Sequence, residues 1–215
     1  MASGELGRRR CGDESVEAGR AATQLGCYDF ALRFVRNRSV LDVGCGLGKG
    51  LAILRREAAS VVGQEIDPRL AVADVIIKPV EEFESRSYDV VTCFDVIEHV
   101  DYPEPFLGHL TRIARRGCFL TTPNWTASRC RWPYHLREYR PSELHRLLAR
   151  YGRVEFFKGT PRGQDVYRVN HYPLYVTLNE LRSWGPTALA ARCLNWLLPA
   201  CCKIHSHHGA WVGIY

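Results

Sequence analysis

Lysine is scarce in this chain: only four residues, at positions 49, 78, 158 and 203, among 29 Lys and Arg together. The other basic residues are arginines scattered along the sequence, so the net charge of +6 describes a mildly basic surface and argues against a nucleic-acid stripe. No apolar run is long enough to cross a bilayer, because the most apolar late stretch, residues 187–202, is interrupted by Arg192, Asn195 and Pro199. The Arg8, Arg9 and Arg10 cluster is followed by CGDESVEAGR, with no apolar segment, and no secretory or twin-arginine leader is expected. Internal repeats and low-complexity tracts are missing. Nine cysteines are present without a C-x-x-C pair or a repeating spacing, and several sit in strand-like apolar runs as small hydrophobes. A reducing, cytoplasmic setting is the expectation.

What is present is the composition of an ordinary globular domain, 46% hydrophobic and 24% charged over 215 residues, enough for one α/β domain with a full core. Short β-branched runs alternate with amphipathic stretches, which predicts βα units in a mostly parallel sheet. Seven strands are expected at Ser39–Val43, Ser60–Glu65, Val75–Ile77, Asp89–Phe94, Cys118–Thr121, Val154–Phe157 and Ala210–Tyr215. Helices are expected at Glu14–Val35, Gly50–Glu57, Tyr102–Ala114 and Pro141–Tyr151, the last opened by Pro141 and closed by Gly152. The division that follows is a helical region over 1–38, a core over 39–158, a helical lid insertion over 159–209 and a final strand over 210–215. Within the insertion a helix is expected over Leu178–Leu198, broken at Gly185-Pro186. Only nine residues separate Glu65 from Val75, too few for a full crossover helix, so a single helical turn must serve.

The densest chemical signal is VLDVGCGLGKG, residues 40–50, an apolar strand running into Gly44, Gly46 and Gly48. Glycines at the carboxyl end of a first strand lie where open α/β sheets bind ligands, and they let a ligand approach bare main chain. A dinucleotide fingerprint fails on spacing, since Lys49 or Leu51 falls where its third glycine belongs, and a phosphate-binding G-K-[ST] is excluded by Gly50 after Lys49. The segment resembles the first motif of class I S-adenosylmethionine-dependent methyltransferases, and the resemblance implies a Rossmann-like fold and S-adenosyl-L-methionine as cofactor. It places Asp42, Gly44, Gly46 and Gly48 around the methionine part of that cofactor, with Cys45 between them.

VVGQEIDP resembles the second motif of the family, whose acid accepts hydrogen bonds from both ribose hydroxyls. That implies Glu65 as the ribose ligand, next to Ile66, with Asp67 the alternative; the competing reading makes Glu65 a cap for the next turn. At the third site the family usually has an acid for the adenine amino group, whereas IIKPVEEF puts Pro79 there, leaving Glu81 as a substitute or Val80 against the ring. YDVVTCFDVIEHVDYPEPFL resembles the fourth motif of the small-molecule branch, the ubiquinone-type O-methyltransferases and the sugar and natural-product methyltransferases. It brings Phe94 and Asp95 to the cofactor set. GCFLTTPNW and HLREYRPSELHRLLARYG resemble the next strand and helix of that branch, with Thr122, Pro123 and Asn124 entering a substrate loop.

The activity this implies is methyl transfer to an oxygen, less favourably a nitrogen, of a small metabolite. His99 is the candidate general base, because a hydroxyl acceptor must lose a proton, and His135 is the second candidate; alternatively Glu98 and His99 open a helix and only order the loop. No metal ligands are assigned: Cys201, Cys202, His205, His207 and His208 lack zinc spacing and read as a surface turn. The aromatic residues Trp125, Trp132, Tyr134 and Tyr139 read as the lid's own core. Two rivals stand beside this reading, an RNA methyltransferase and a non-catalytic S-adenosylmethionine-binding regulatory subunit. The first is disfavoured because DVIEH stands where base-methylating enzymes carry N/D-P-P-Y/F; the second is motivated by the altered adenine site and the short crossover. The expected partner is a small-molecule acceptor, with no membrane span, nucleic acid disfavoured and the oligomeric state open.

Overall fold

The structure is a computed structural model that describes residues 14–130, 132–160 and 166–214. Residues 1–13 of the expected N-terminal helical region lie outside the described residues, as does Tyr215 at the end of the expected last strand. The elements in chain order are α1 (Glu14–Val35), β1 (Ser39–Val43), α2 (Leu51–Leu54), β2 (Ser60–Glu65), β3 (Val75–Ile77), β4 (Tyr88–Phe94), α3 (Pro103–Ile113) and β5 (Ala114–Pro123). They continue with α4 (Trp125–Ser128), α5 (Pro141–Leu148), β6 (Arg153–Gly159), β7 (Tyr167–Arg168), α6 (Tyr172–Ser183), α7 (Gly185–Leu197) and β8 (His207–Gly213).

All eight strands form one sheet in the order β3-β2-β1-β4-β5-β8-β6-β7. The first five are parallel, while β8 runs antiparallel to both β5 and β6. This is the expected Rossmann-like, mostly parallel sheet with one strand more. The eighth, β7, has two residues inside the insertion and pairs with Phe157 and Lys158 at the β6 edge. Two further boundaries differ from the expectation for the same reason, neighbours on both sides. β5 extends over ten residues because it is flanked by β4 and β8, and β8 begins at His207 because Thr122 and Pro123 give it pairing partners. Conversely, α2 closes after four residues, and the insertion's helix is two helices, one of which begins at Tyr172.

Side-chain alternation sorts the strands onto two cores. Val40, Val90, Phe119 and Phe157 face α1 and α2, together with Tyr28, Phe30, Leu51 and Leu54. Leu41, Val91, Leu120 and Phe156 face the opposite way, with Leu107 and Leu110 of α3, Leu144 and Leu148 of α5 and Tyr175 of α6. The nine-residue link from β2 to β3 is made by one 3-10 turn at Pro68–Leu70, capped by Asp67, which accepts from the Arg69 amide. It suffices because β3 is short and aligns with only the last three residues of β2.

One buried group gives the fold a pH dependence. His208 lies between Thr122 and Lys158 in the sheet and is enclosed by Phe156 and Tyr175, with ring centroids at 5.2 and 6.2 Å. Burial, above all, lowers its pKa to about 3, and the neighbouring His207 adds to the effect against a backbone hydrogen bond. The folded value is below the unfolded value of about 6.5, so the stability of neutral His208 is complete above that pH and is lost as pH falls toward 3. Thermal melts from pH 7 to pH 4.5 are expected to fall more steeply for the native chain than for His208→Leu; parallel curves would refute the assignment.

Candidate active site

The five parallel strands end along one edge, and the residues singled out by sequence collect there. Gly44, Gly46 and Gly48 have φ of +70°, +57° and +69°, the left-handed region where a Cβ is strained. The end of β2 holds this turn. The Gln64 carbonyl accepts from the Gly44 amide at 2.9 Å and the Cys45 amide at 3.1 Å, and the Glu65 Oε2 accepts from the Gly46 amide at 3.2 Å. The Glu65 Oε1 accepts from the Ile66 amide at 2.7 Å, so this carboxylate lies against the turn at the rim of β2. The cap of the next helical turn is Asp67, whose carboxylate is also engaged by the Arg69 guanidinium. Ile66, beside Glu65, is 44% exposed and gives the rim an apolar surface.

Asp42 and Cys45 turn inward. The Asp42 carboxylate is fully buried and accepts from the Tyr28 hydroxyl at 2.9 Å and from the Thr92 hydroxyl at 2.7 Å. Burial pushes its pKa up to about 7 against the pull of these two hydrogen bonds. Cys45 is a buried thiol packed toward Gly63, where burial pushes its pKa far up. Tyr28 and Gln64 are site residues that sequence reasoning missed. Tyr28 reaches from α1 across Gly50 and lies 4.0 Å from Phe94, centroid to centroid. The Gln64 amide group donates to the Lys78 carbonyl at 2.7 Å while its Oε1 accepts from Gly44 at 3.2 Å. A glutamine ahead of Glu65 in an otherwise small and apolar strand was the available signal. At the third position Val80 is buried in a 3-10 turn, and Glu81 is exposed, its carbonyl accepting from Arg112.

The exit of β4 forms the other half of the edge. Asp95 has φ +52°, and it accepts from the Thr121 hydroxyl at 2.8 Å with His207 Nε2 at 3.8 Å. His207 and His208 therefore belong to strand β8, one at the site's rim and one in the core, and not to a surface turn. Glu98 and His99 occupy a 3-10 turn, Ile97–His99, separate from α3. Glu98 is fully buried and accepts from the Thr122 hydroxyl at 3.0 Å, while its own carbonyl receives the amides of Leu136 and Arg137. These last bonds bring His135 to His99, with ring centroids 5.0 Å apart.

Each imidazole is oriented through Nδ1, His99 on the Tyr134 carbonyl at 2.9 Å and His135 on the Glu138 carboxylate at 2.6 Å. Glu138 is buried and also accepts from Ser128 and the Cys130 amide; burial works against its charge, but hydrogen bonds led by His135 hold its pKa below the usual range. Asn124 is structural. Its amide nitrogen donates to Asn179 of α6 and to the His205 carbonyl, each at 3.0 Å.

Bare main chain in the glycine turn, an acceptor-only carboxylate at the end of β2 and an apolar rim match the chemistry of a nucleoside with a diol. Fold and site together define a class I cofactor-binding enzyme domain. A family model described as a methyltransferase domain matches residues 21–154, more than half of the chain. The ubiquinone biosynthesis O-methyltransferase of Hahella chejuensis is 34% identical over 104 residues, 40% of this chain and 44% of that protein. The chain thus matches less than half the length of that relative. The protein of the same name from Xanthomonas oryzae pv. oryzae is 28% identical over 162 residues, 67% of this chain and 59% of that one. A structure of a possible histamine N-methyltransferase from Thermotoga maritima superposes with a TM-score of 0.63 at 14% identity, over 97% of both chains, which shows a shared fold. The chain belongs to the methyltransferase-domain family.

A Cβ at Gly44 would lie 2.5 Å from Val96 Cγ2. Gly44→Ala is expected to lower the melting temperature and abolish cofactor binding. Adding Val96→Ala removes the clash but leaves the positive φ, a strain of about 1–2 kcal/mol, so the double variant should recover stability only in part. Full recovery would show that the backbone conformation is not a constraint.

Proposed function

We propose that this enzyme transfers the methyl group of S-adenosylmethionine to a hydroxyl oxygen of a small metabolite. The observation that carries this is the convergence, on one sheet edge, of the glycine turn with Glu65 and the group Glu98, His99 and His135. When bound, the cofactor supplies a methyl carbon already activated by its sulfonium. Glu65 takes the ribose diol and Ile66 flanks the adenine, with Val80 on the neighbouring turn; Gly44, Gly46 and Gly48 admit the methionine part. Asp42 supports the turn from beneath, and Asp95 and Phe94 close the β4 side. Glu81, exposed on its turn, is the acid nearest in sequence to Pro79.

A hydroxyl acceptor has a proton to lose, and His99 and His135 supply the basic nitrogens for it. A carbonyl and a carboxylate only accept hydrogen bonds, so each Nδ1 carries the proton and each Nε2 of the neutral ring carries the lone pair. The O-methyltransferase relatives favour oxygen as the acceptor atom; the possible histamine N-methyltransferase keeps nitrogen as the second choice. The described cysteines are free thiols, and among the described residues no helix is long and apolar enough to cross a membrane, which supports a cytoplasmic small-molecule enzyme.

Calorimetry separates the two acids. Glu65→Gln should weaken S-adenosylhomocysteine about tenfold or more, since hydrogen bonds to a charged group contribute about 1.5–3 kcal/mol, whereas Asp67→Asn should change affinity less than about twofold. The reverse order would move the ribose site to Asp67. Incubation with methyl-labelled S-adenosylmethionine and a panel of hydroxylated metabolites should put label in the small-molecule fraction. His99→Ala should reduce that rate about a hundredfold or more with cofactor affinity retained. Label in added tRNA would establish the RNA reading instead.

A further inference from the structure

The outer face of α7 is apolar and uncovered. Leu189, Trp196 and Leu197 fall at i, i+7 and i+8 on one side of the helix and are 73%, 79% and 70% exposed, and Trp184, just before the helix, is 63% exposed. The opposite side holds Ala191, the one buried residue of α7, where the helix packs on α6. α6 is itself anchored, through Tyr175 in the core and through Asn179 on Asn124. The far end of α7 is tied by Asn195, whose side chain accepts from the Ile204 amide at 2.6 Å and donates to its carbonyl at 3.4 Å. Single apolar side chains on a surface need no explanation, but large ones gathered on one rigid face mark a contact surface.

Charge indicates what covers it. From Leu181 to Tyr215 the sequence has no Asp or Glu and carries Arg182, Arg192 and Lys203. Arg192 lies one helical turn from both Leu189 and Trp196, within the apolar face. Glu180, the acid nearest in sequence, is turned to Arg140 and Ser142. Arg182 is crowded by like charge: burial and the guanidinium groups of Arg192 and Arg129 lower its pKa. Cations grouped in this way are stabilised by anions brought from outside. We propose that α7 docks on the surface of a bilayer containing anionic lipid, with Trp184, Leu189, Trp196 and Leu197 entering the headgroup boundary and Arg182 and Arg192 meeting lipid phosphates. Tryptophan, leucine and arginine without acids is the composition of helices that lie in that interface, and the interruptions that keep residues 187–202 from spanning a bilayer do not oppose lying on one.

A second copy seated on the same face would set Arg182 and Arg192 against their own duplicates, a like-charge contact. The surface also lies beyond residues 21–154, so it belongs to this chain's insertion and not to the matched domain. Flotation of the full chain with vesicles tests it. The chain should bind vesicles of three parts phosphatidylcholine to one part phosphatidylglycerol, and pure phosphatidylcholine about tenfold more weakly or less. Arg192→Gln should weaken binding to the mixed vesicles about fivefold and leave phosphatidylcholine binding unchanged. Leu189→Ser/Trp196→Ser should weaken it about tenfold or more with an unchanged thermal melt, since both side chains are exposed. Lipid brominated in its acyl chains should quench the tryptophan fluorescence of the bound chain, and quench Trp184→Phe/Trp196→Phe much less. No binding, equal affinity for both vesicle types, or binding that Leu189→Ser/Trp196→Ser leaves intact would overturn the docking surface. A dimer seen by sedimentation without vesicles, and lost in that same double variant, would assign the face to a second copy instead.

Discussion

The last two residues of β2 hold the turn that follows β1, and the glycine-rich half of the candidate site depends on that constraint. A loop with three glycines at positive φ has a high entropy in the unfolded chain, so its shape must be enforced from outside. The Gln64 carbonyl and the Glu65 carboxylate do this by accepting three consecutive amides, Gly44, Cys45 and Gly46. The register that pairs Val43 with Gln64 is what puts them within reach. Glu65 consequently serves the turn and presents its carboxylate at the rim, and a ligand diol would meet a group already in place. Preorganisation of this kind lowers the cost of binding.

Beneath the turn, the support is polar and buried. Tyr28, Asp42 and Thr92 form a chain of hydrogen bonds across α1, β1 and β4, in a place where apolar packing would be the default. Every oxygen of the Asp42 carboxylate has a donor, which is the condition for tolerating such a group in a core. Tyr28 also fills the space that only glycine leaves at position 50, so α1 closes the back of the site. On the β4 side the analogous role falls to the loop before α5, whose amides return to Glu98 and whose Glu138 orients His135.

Much of this was legible. The glycine turn, the acid closing β2 and the short crossover were visible because each is a local pattern whose backbone consequence follows from spacing. The limits of α1, β1, β2 and β3 agree with the expectation for the same reason. The segment after β3 was legible as a departure from the family pattern, with Pro79 where the resemblance implies an acid, and the structure adds that Val80 is buried and Glu81 exposed. The C-terminal histidines were misread because β8 owes its start to pairing with Thr122 and Pro123, partners more than eighty residues earlier in the chain. Asn124 was assigned to a substrate loop, yet it ties α4 to α6 and to the segment before β8.

The sequence by itself determined the class of fold and the place of the glycine turn at the end of the first strand, since hydrophobic period and glycine spacing are written in neighbouring residues. Only the tertiary structure decided that His99 and His135 share a wall with Glu98, that the Nδ1 of each meets a carbonyl or carboxylate oxygen, and that Tyr28 and Gln64 brace the turn. These depend on strand register and on loops meeting from segments 20 to 40 residues apart in sequence, about the reach at which local pattern ceases to specify contact.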